Sequence, residues 1–203
     1  SRSRIAALAL LHPLAFGEET GDPVILTYNS FASGVVKEYG ALLGRDFNAD
    51  VLTDGARQQL AYRLVCTTQR DLTGISVGPA KITSDLLSLD GELSELAITP
   101  EAVIEYDRTL IKYLAGLTGS NQTLRGIAST SARRITLSQL VLEWRELKAS
   151  RNLIEFSDQV RLATSIVTQF PEVAAQIRSR FSIALLDEYQ DTSISQRILL
   201  ETI

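Results

Sequence analysis

The sequence predicts an α/β fold in which a helical segment interrupts a layer of strands and helices. Two short, continuous apolar runs rich in β-formers lie near the two ends of the chain, at residues 24–28 and 181–186. Runs of this length and composition are typical of buried strands. Between residues 50 and 150 the apolar side chains instead recur at helical spacing, so that part of the sequence predicts helices only.

The helices are predicted in chain order from their apolar spacing and their end signals. Thr99-Pro100-Glu101 combines an N-cap, a first-position proline and an acid in the first turn. Ser193 and Gln196 have the spacing of a capping box. The predicted helices are 1–11, 30–39, 53–65, 82–96, 99–114, 136–147, 157–167, 171–180 and 193–200, with loops at 67–79 and 116–132.

The composition is that of an ordinary globular protein and excludes several kinds of site. The chain has 203 residues, 45% of them hydrophobic, with a net charge of −4. A single cysteine and a single histidine exclude a disulfide framework and a zinc cluster. His12 has no nucleophile elbow to serve, which argues against a Ser-His-Asp triad. Cys66 lies among apolar neighbours and is predicted to be a small core residue in a reducing compartment.

The most informative feature is a pair of adjacent acids, Asp187 and Glu188, directly after the second apolar run. Ligands of open α/β sheets bind at the carboxyl ends of the strands. In a nucleotide hydrolase the first acid holds Mg²⁺, and the second orients or deprotonates the attacking water. A solvated strand end before an N-capped helix would favour acids too. The pair alone leaves both interpretations open.

The longer string is much more specific than the acid pair. Asp187-Glu188-Tyr189-Gln190-Asp191-Thr192 resembles motif II, the Walker B motif, of superfamily 1 DNA helicases of the UvrD/Rep/PcrA type. Residues 27–32 resemble motif Ib of that family, and residues 2–11 resemble the helix after motif Ia. Residues 153–158 resemble the short Asp-Phe-rich signature before motif II, with Glu155 in place of the usual Asp.

This resemblance implies a fold and a division of the chain. The fold is the P-loop NTPase (RecA-like) parallel sheet, incomplete here, with a large all-helical insertion. Residues 1–40 are part of the first RecA-like motor domain, residues 41–152 are the helical insertion, and residues 153–203 return to the motor domain with Walker B. The motif II spelling with Tyr189 and the segment 50–64 most resemble the actinobacterial helicase–nuclease branch, which carries a RecB-like nuclease domain downstream.

The resemblance also implies a function for the parent protein. It is expected to be an ATP-dependent 3′-to-5′ DNA helicase of repair or recombination, cytoplasmic and nucleoid-associated. Its cofactors would be Mg²⁺ and ATP. Its partners would be single-stranded DNA and duplex junctions, together with a second protein chain if it is of the helicase–nuclease branch.

One element of an ATPase is missing from these residues. A phosphate-binding loop needs Gly-x4-Gly-Lys-Ser/Thr, and the sequence contains no Gly-Lys pair. In the family that loop precedes the part matched here, so the chain alone is expected not to hydrolyse ATP. A non-catalytic DNA- or protein-binding module with a vestigial acid pair, and an unrelated helical interaction protein, stay open as alternatives.

Individual roles follow from the matched motifs. Glu188 would be the catalytic base, Asp187 the Mg²⁺ ligand and Gln190 the sensor of the γ-phosphate. Three residues of the motif Ib-like segment would contact single-strand phosphates: Thr27, Asn29 and Ser30.

A basic stretch between residues 132 and 151 includes Arg133 and Arg134. It could contact duplex phosphates, as the insertion does in the family, although a solvated helix face would have the same composition. Trp144 falls on the apolar face and is predicted to be core. Phe156 is predicted to pack between the insertion and the α/β layer.

Overall fold

The structure is a computed structural model that describes residues 24–44, 49–117, 121–181 and 183–203. These residues are mostly helical, with one short parallel sheet. The helices are α1 (Tyr28–Tyr39), α2 (Asp54–Thr67), α3 (Pro79–Glu95), α4 (Pro100–Ala115), α5 (Gln122–Ser150), α6 (Phe156–Gln169), α7 (Pro171–Arg178) and α8 (Ile194–Thr202). Short 3-10 turns cover Gly40–Leu43 and Tyr189–Asp191, and the strands are β1 (Asp50–Val51) and β2 (Leu153–Ile154).

Most helix starts are where their capping residues predict them. The Thr99 hydroxyl accepts a hydrogen bond from the Ala102 N–H at 3.2 Å and starts α4. Ser193 and Gln196 form the predicted capping box of α8. The helix predicted from Ser30 begins earlier, at Tyr28, because Thr27 is its N-cap. These short side chains satisfy first-turn N–H groups that have no partner inside the helix.

The loop predicted at residues 116–132 is wrong over most of its length. Helix α5 begins at Gln122 and continues for 29 residues. The Asn121 side chain accepts a hydrogen bond from the Leu124 N–H at 2.9 Å and caps it. Helix α5 packs extensively along α4, and this tertiary contact outweighs the low helix propensity of the Gly, Ser and Thr residues in its first half.

The two predicted buried strands are also wrong as elements of the described structure. Residues 24–27 and 183–186 have no regular secondary structure and are exposed. A strand is stabilised by the strands beside it, and neither run has a neighbouring strand among the described residues. The sheet that does form pairs β1 in parallel with β2, in the register Asp50 to Leu153. The wider RecA-like sheet stays a prediction.

Two separate apolar clusters form the core. The first joins α1, α6, α7 and α8 around Val36, Ile166 and Leu199. The second joins α2, α3 and α5 around Leu86 and Trp144. The described residues thus form two helical groups, each with its own core, and α5 is followed directly by β2 and α6. The domain boundaries at residues 40 and 152 remain predictions.

Three single-residue predictions can be checked against burial. Trp144 is fully buried, so its predicted place in the core is confirmed. Phe156 is 60% exposed, which contradicts its predicted packing role, because it is the first residue of α6 and points away from the core. Cys66 is exposed, not core, because the buried face of α2 passes through Ala61 and Val65 instead.

Other predictions lie beyond the described residues. The helix expected at residues 1–11 and the histidine at position 12 both fall in the part that is not described. Among the helices that are described, none has the length and apolar content needed to cross a membrane.

Candidate functional site

The two segments singled out by the motif analysis lie side by side in the structure. The Tyr28 Oη and Thr192 Oγ1 atoms are 3.1 Å apart, which makes a hydrogen bond across 164 positions of the chain. The rings of Phe31 and Phe181 meet edge to face, with their centroids 6.4 Å apart. The start of α1 therefore contacts both the beginning and the end of the segment that carries the acid pair.

An ion pair on α1 strengthens this contact. Arg180 Nη1 donates to Glu38 Oε2 at 2.7 Å, and Arg180 Nη2 donates to the Tyr39 hydroxyl at 2.8 Å. The hydrogen bond from Arg180 lowers the pKa of Glu38. Because the pair is exposed, its contribution to stability is small. Its geometric effect is to hold the chain just before residue 181 against the end of α1.

The acid pair itself is open to solvent. Asp187 and Glu188 are both exposed, and Asp187 Oδ1 accepts a hydrogen bond from the Glu188 N–H at 3.1 Å. Glu188 adopts a left-handed backbone conformation, with φ 53° and ψ 39°. A residue with a Cβ has a steric penalty of about 1 kcal/mol or more there. The turn leaves two adjacent carboxylates exposed to solvent, and its backbone conformation at Glu188 is strained.

The rest of the motif II-like string forms the link to α8. The Asp191 N–H donates to the Glu188 carbonyl at 3.0 Å and closes the 3-10 turn. Gln190 is exposed, and its amide lies 3.4 Å from Asp191 Oδ2. We call residues 187–192 the acid segment.

The acid segment fits a magnesium–nucleotide group only in part. Mg²⁺ in nucleotide sites is held by one or two carboxylates together with phosphate oxygens and water. Asp187 offers one such carboxylate. Among the described residues no group of three or more His, Cys, Asp or Glu side chains could hold a metal ion, and no Gly-Lys pair occurs in the sequence to bind the phosphates. Among the described residues Asp187 is the one ligand that this segment offers, and a complete site would need oxygens from the nucleotide, from water and from residues other than those described.

The predicted single-strand contacts lie at the N-terminus of α1. Thr27 Oγ1 accepts from the Ser30 N–H at 3.1 Å and lies 2.9 Å from Ser30 Oγ. Thr27, Asn29 and Ser30 are exposed, and the first turn has no acidic residue. A helix N-terminus favours an anion through its free N–H groups and dipole. The site is suited to a phosphate, and the capping bond is also an ordinary helix start.

The two arginines of the predicted duplex contact differ in their surroundings. Arg133 is exposed on α5. Arg134 instead binds the fully buried Asp107 of α4 through two hydrogen bonds, of 2.7 Å from Nε and 2.5 Å from Nη2. The hydrogen bonds to Asp107 raise the pKa of Arg134. Arg133 is therefore the more available of the two for a phosphate.

Sequence reasoning missed a second group of charged residues. Arg145 and Lys148, from the same basic stretch, are turned inward and paired with Asp90, Glu155 and Asp158. A signal was present in the sequence, because Trp144 and Lys148 have the i, i+4 spacing of one buried helix face.

Adjacent exposed acids beside a polar helix N-terminus are compatible with the class of nucleotide hydrolases that also bind an anionic polymer. Comparison with known families agrees with this class. The sequence profile of the UvrD/REP helicase N-terminal domain matches residues 2–203, so the chain belongs to that family. The helicase family predicted from the motifs is thereby confirmed.

Several curated relatives are named as subunits of an ATP-dependent helicase/nuclease. The protein of Clostridium acetobutylicum is 35% identical over 80 residues, which cover 34% of this chain and 6% of the relative. That of Streptococcus thermophilus is 39% identical over 59 residues, or 29% and 5%. That of Natranaerobius thermophilus is 27% identical over 85 residues, or 40% and 7%. The chain thus spans a small part of these relatives. The actinobacterial assignment stays a prediction.

Proposed function

We propose that this chain forms part of the first motor domain of an ATP-dependent DNA helicase, and that Asp187 and Glu188 are its hydrolytic acids. The observation that carries the proposal is the exposed acid segment, which is held against the start of α1 by the hydrogen bond between Tyr28 and Thr192. Family membership supports the same assignment.

The two acids would act differently. Asp187 would supply one oxygen ligand to a hydrated Mg²⁺ ion, whose charge would offset that of the nucleotide phosphates. Glu188 accepts the proton of the attacking water, which can reach its exposed carboxylate. Gln190, two residues further on, would change its contacts with the presence or absence of the γ-phosphate.

Coupling to DNA would pass through the contact between the two segments. Thr27, Asn29 and Ser30 bind a backbone phosphate at the N-terminus of α1. The neighbouring Tyr28 bonds to Thr192 in the acid segment. A conformational change at the phosphate contacts of α1 can therefore reach the acid segment through this one hydrogen bond. On α5, Arg133 would contact duplex phosphates, and Arg134 would contribute less because Asp107 already binds it.

The proposal extends to the parent protein through the relatives and the motif resemblance. That protein would unwind duplex DNA in the 3′-to-5′ direction during repair or recombination, in the cytoplasm at the nucleoid. A nuclease domain and a partner chain would accompany it if it belongs to the helicase–nuclease branch. The chain alone would not hydrolyse ATP, because its residues include no phosphate-binding loop.

The decisive experiment measures ATP hydrolysis by the longer parent protein with and without single-stranded DNA. We expect Glu188→Gln to reduce DNA-stimulated turnover by about two orders of magnitude or more, as loss of a general base does. Glu146→Gln, which removes an exposed carboxylate from α5, is the matched control and should leave turnover unchanged.

Two results would contradict the proposal. A parent protein without DNA-stimulated turnover, or one whose turnover is the same in the Glu188→Gln variant, would make the acid pair structural. The non-catalytic binding module would then be the better description, and DNA binding that is independent of Glu188 would support it.

A further inference from the structure

The strongest unassigned feature is a buried ammonium group at the junction of the two helical groups. Lys148 of α5 is 2% exposed. Its Nζ donates to Asp90 Oδ2 at 3.2 Å, to Glu155 Oε1 at 2.9 Å and to Asp158 Oδ2 at 2.7 Å. An ammonium group has three N–H donors, so each donor has its own carboxylate. The acceptors come from α3 and from the start of α6.

Each of the three carboxylates also has an arginine of its own. The pairs are Arg145 Nε with Asp90 Oδ1 at 2.6 Å, Arg57 Nε with Glu155 Oε2 at 2.7 Å, and Arg161 Nη2 with Asp158 Oδ1 at 2.8 Å. We call these seven residues the Lys148 cluster. Three arginines already balance three carboxylates, so Lys148 adds a fourth positive charge. Charge neutrality therefore does not explain why a lysine is buried here.

The arginine pairs do little to connect the two helical groups. Arg145 and Asp90 both belong to the group with the Trp144 core, and Arg161 and Asp158 both belong to α6. The pair of Arg57 with Glu155 does cross the junction. The other crossing bonds to Glu155 and Asp158 come from α5: two from Lys148, and one from Trp144 Nε1 to Glu155 Oε1 at 3.0 Å.

These contacts converge on the first turn of α6, and α6 is central to the other helical group. It packs against α1, whose first turn carries the proposed phosphate contacts, and against α8, which directly follows the acid segment. Asp158 Oδ2 also accepts from the Glu155 N–H at 3.0 Å. The same carboxylate thus caps α6 and binds Lys148.

Apolar packing alone would specify this junction poorly. The two apolar clusters share no residue, and apolar contact is non-directional. The pairing of β1 with β2 crosses the junction over only two residues of each strand, while α3 also touches α6 and α8. Hydrogen-bonded ion pairs have defined directions. They cost desolvation energy, and specifying a single arrangement is one reason for retaining them.

We propose that Lys148 is a positioning residue that fixes the orientation of the α3 and α5 helices relative to α6. Its three bonds hold one element from each side at a single point. Without it, the three arginine–carboxylate pairs and both apolar cores remain, and the two helical groups adopt more than one relative orientation. This inference does not depend on whether the acid segment hydrolyses a nucleotide.

The test measures a distance across the junction in the 203-residue chain. Spin labels are attached to Arg133→Cys on α5 and Lys37→Cys on α1, two exposed positions, in a Cys66→Ser background. Pulsed electron resonance then gives the distribution of label distances. We expect Lys148→Met to broaden this distribution or to add a second distance while helix content by circular dichroism is retained.

The matched control is Lys81→Met, which removes an exposed lysine of α3 paired with Asp85 one turn away. It should leave the distribution unchanged. The proposal would be overturned by a folded Lys148→Met protein whose label distances are as narrowly distributed as those of the unsubstituted chain. The lysine would then contribute stability without setting the orientation of α3 and α5 relative to α6.

A second variant keeps the test valid if Lys148→Met fails to fold. Lys148→Arg retains the charge, but its larger, planar guanidinium places its donors differently from the compact ammonium group that the three carboxylates surround. We expect it to broaden the distribution as well. An unchanged distribution in the Lys148→Arg protein would also overturn the proposal.

Discussion

Two groups of carboxylates in this molecule have opposite surroundings. In the Lys148 cluster, Asp90, Glu155 and Asp158 are buried and all of them are paired with cations. In the acid segment, Asp187 and Glu188 are exposed on a strained turn. A buried carboxylate must be paired or it costs several kcal/mol, while an exposed one can exchange ligands freely. The difference separates acids that hold the fold from acids that are available for chemistry.

The pKa of the buried group shows how strongly it is held. Burial alone would raise the pKa of Asp158, but the attraction of Lys148 and Arg161 outweighs it and lowers the pKa to about 2. Burial would likewise lower the pKa of Lys148, and the attraction of Asp158, Asp90 and Glu155 raises it instead. Both groups are therefore charged at neutral pH.

The largest expected difference between the two groups is in stability. Asp158→Asn leaves Lys148 with two carboxylates and should lower the free energy of unfolding by about 3 kcal/mol, as loss of one partner of a buried pair does. Asp187→Asn should change it by less than about 0.5 kcal/mol, as exposed substitutions do. Urea unfolding followed by circular dichroism measures both. Equal effects would contradict the distinction between structural and available acids.

Acid titration should show the same contrast. The folded pKa of Asp158 is about 2 and its ordinary value is 3.8, so its contribution to stability is complete above the ordinary value and is lost as the pH falls through the folded value. The amount is on the order of 2 kcal/mol. Unfolding free energies measured between neutral pH and pH ~2 should fall less steeply in Asp158→Asn than in the unsubstituted chain.

The smallest expected effect concerns the strained turn. Glu188→Gly places the residue without a Cβ at a left-handed position and should stabilise the chain by roughly 0.5 kcal/mol, the difference between relieved strain and added unfolded-state entropy. Glu146→Gly, inside α5, should destabilise it by about 1 kcal/mol. Denaturant midpoints of the two variants should move in opposite directions. A Glu188→Gly variant that is no more stable than the parent would argue against strain at this turn.

The sequence predicted what depends on local chemistry. Helix starts at Thr99 and Ser193 follow from side chains that bond to N–H groups three residues away, and the family follows from a contiguous string of six residues. The strands at 24–28 and 181–186 were predicted as buried because of their composition. Burial of a strand is a property of its neighbours, and composition does not reveal whether those neighbours are present.

The candidate site could be predicted from the sequence, whereas the Lys148 cluster could not. The acids of the site are adjacent in the sequence, so their proximity could be predicted. Asp90 and Lys148 are 58 positions apart, and only the packing of α3 against α5 brings them together. The spacing of Glu155 and Asp158 is compatible with a capping pair, but it does not indicate that a lysine would bind both residues. Residues 122–132, predicted as a loop, are likewise helical because α5 packs along α4.

The single tryptophan of the chain gives the junction its own optical reporter. The Trp144 ring is 5.2 Å from the Lys148 ammonium, and its N–H is bound to Glu155 across the junction. Indole emission responds to neighbouring charges and to the loss of such a bond. Fluorescence of the unlabelled protein will therefore register any ligand that shifts one helical group against the other, in real time and without a change to the sequence.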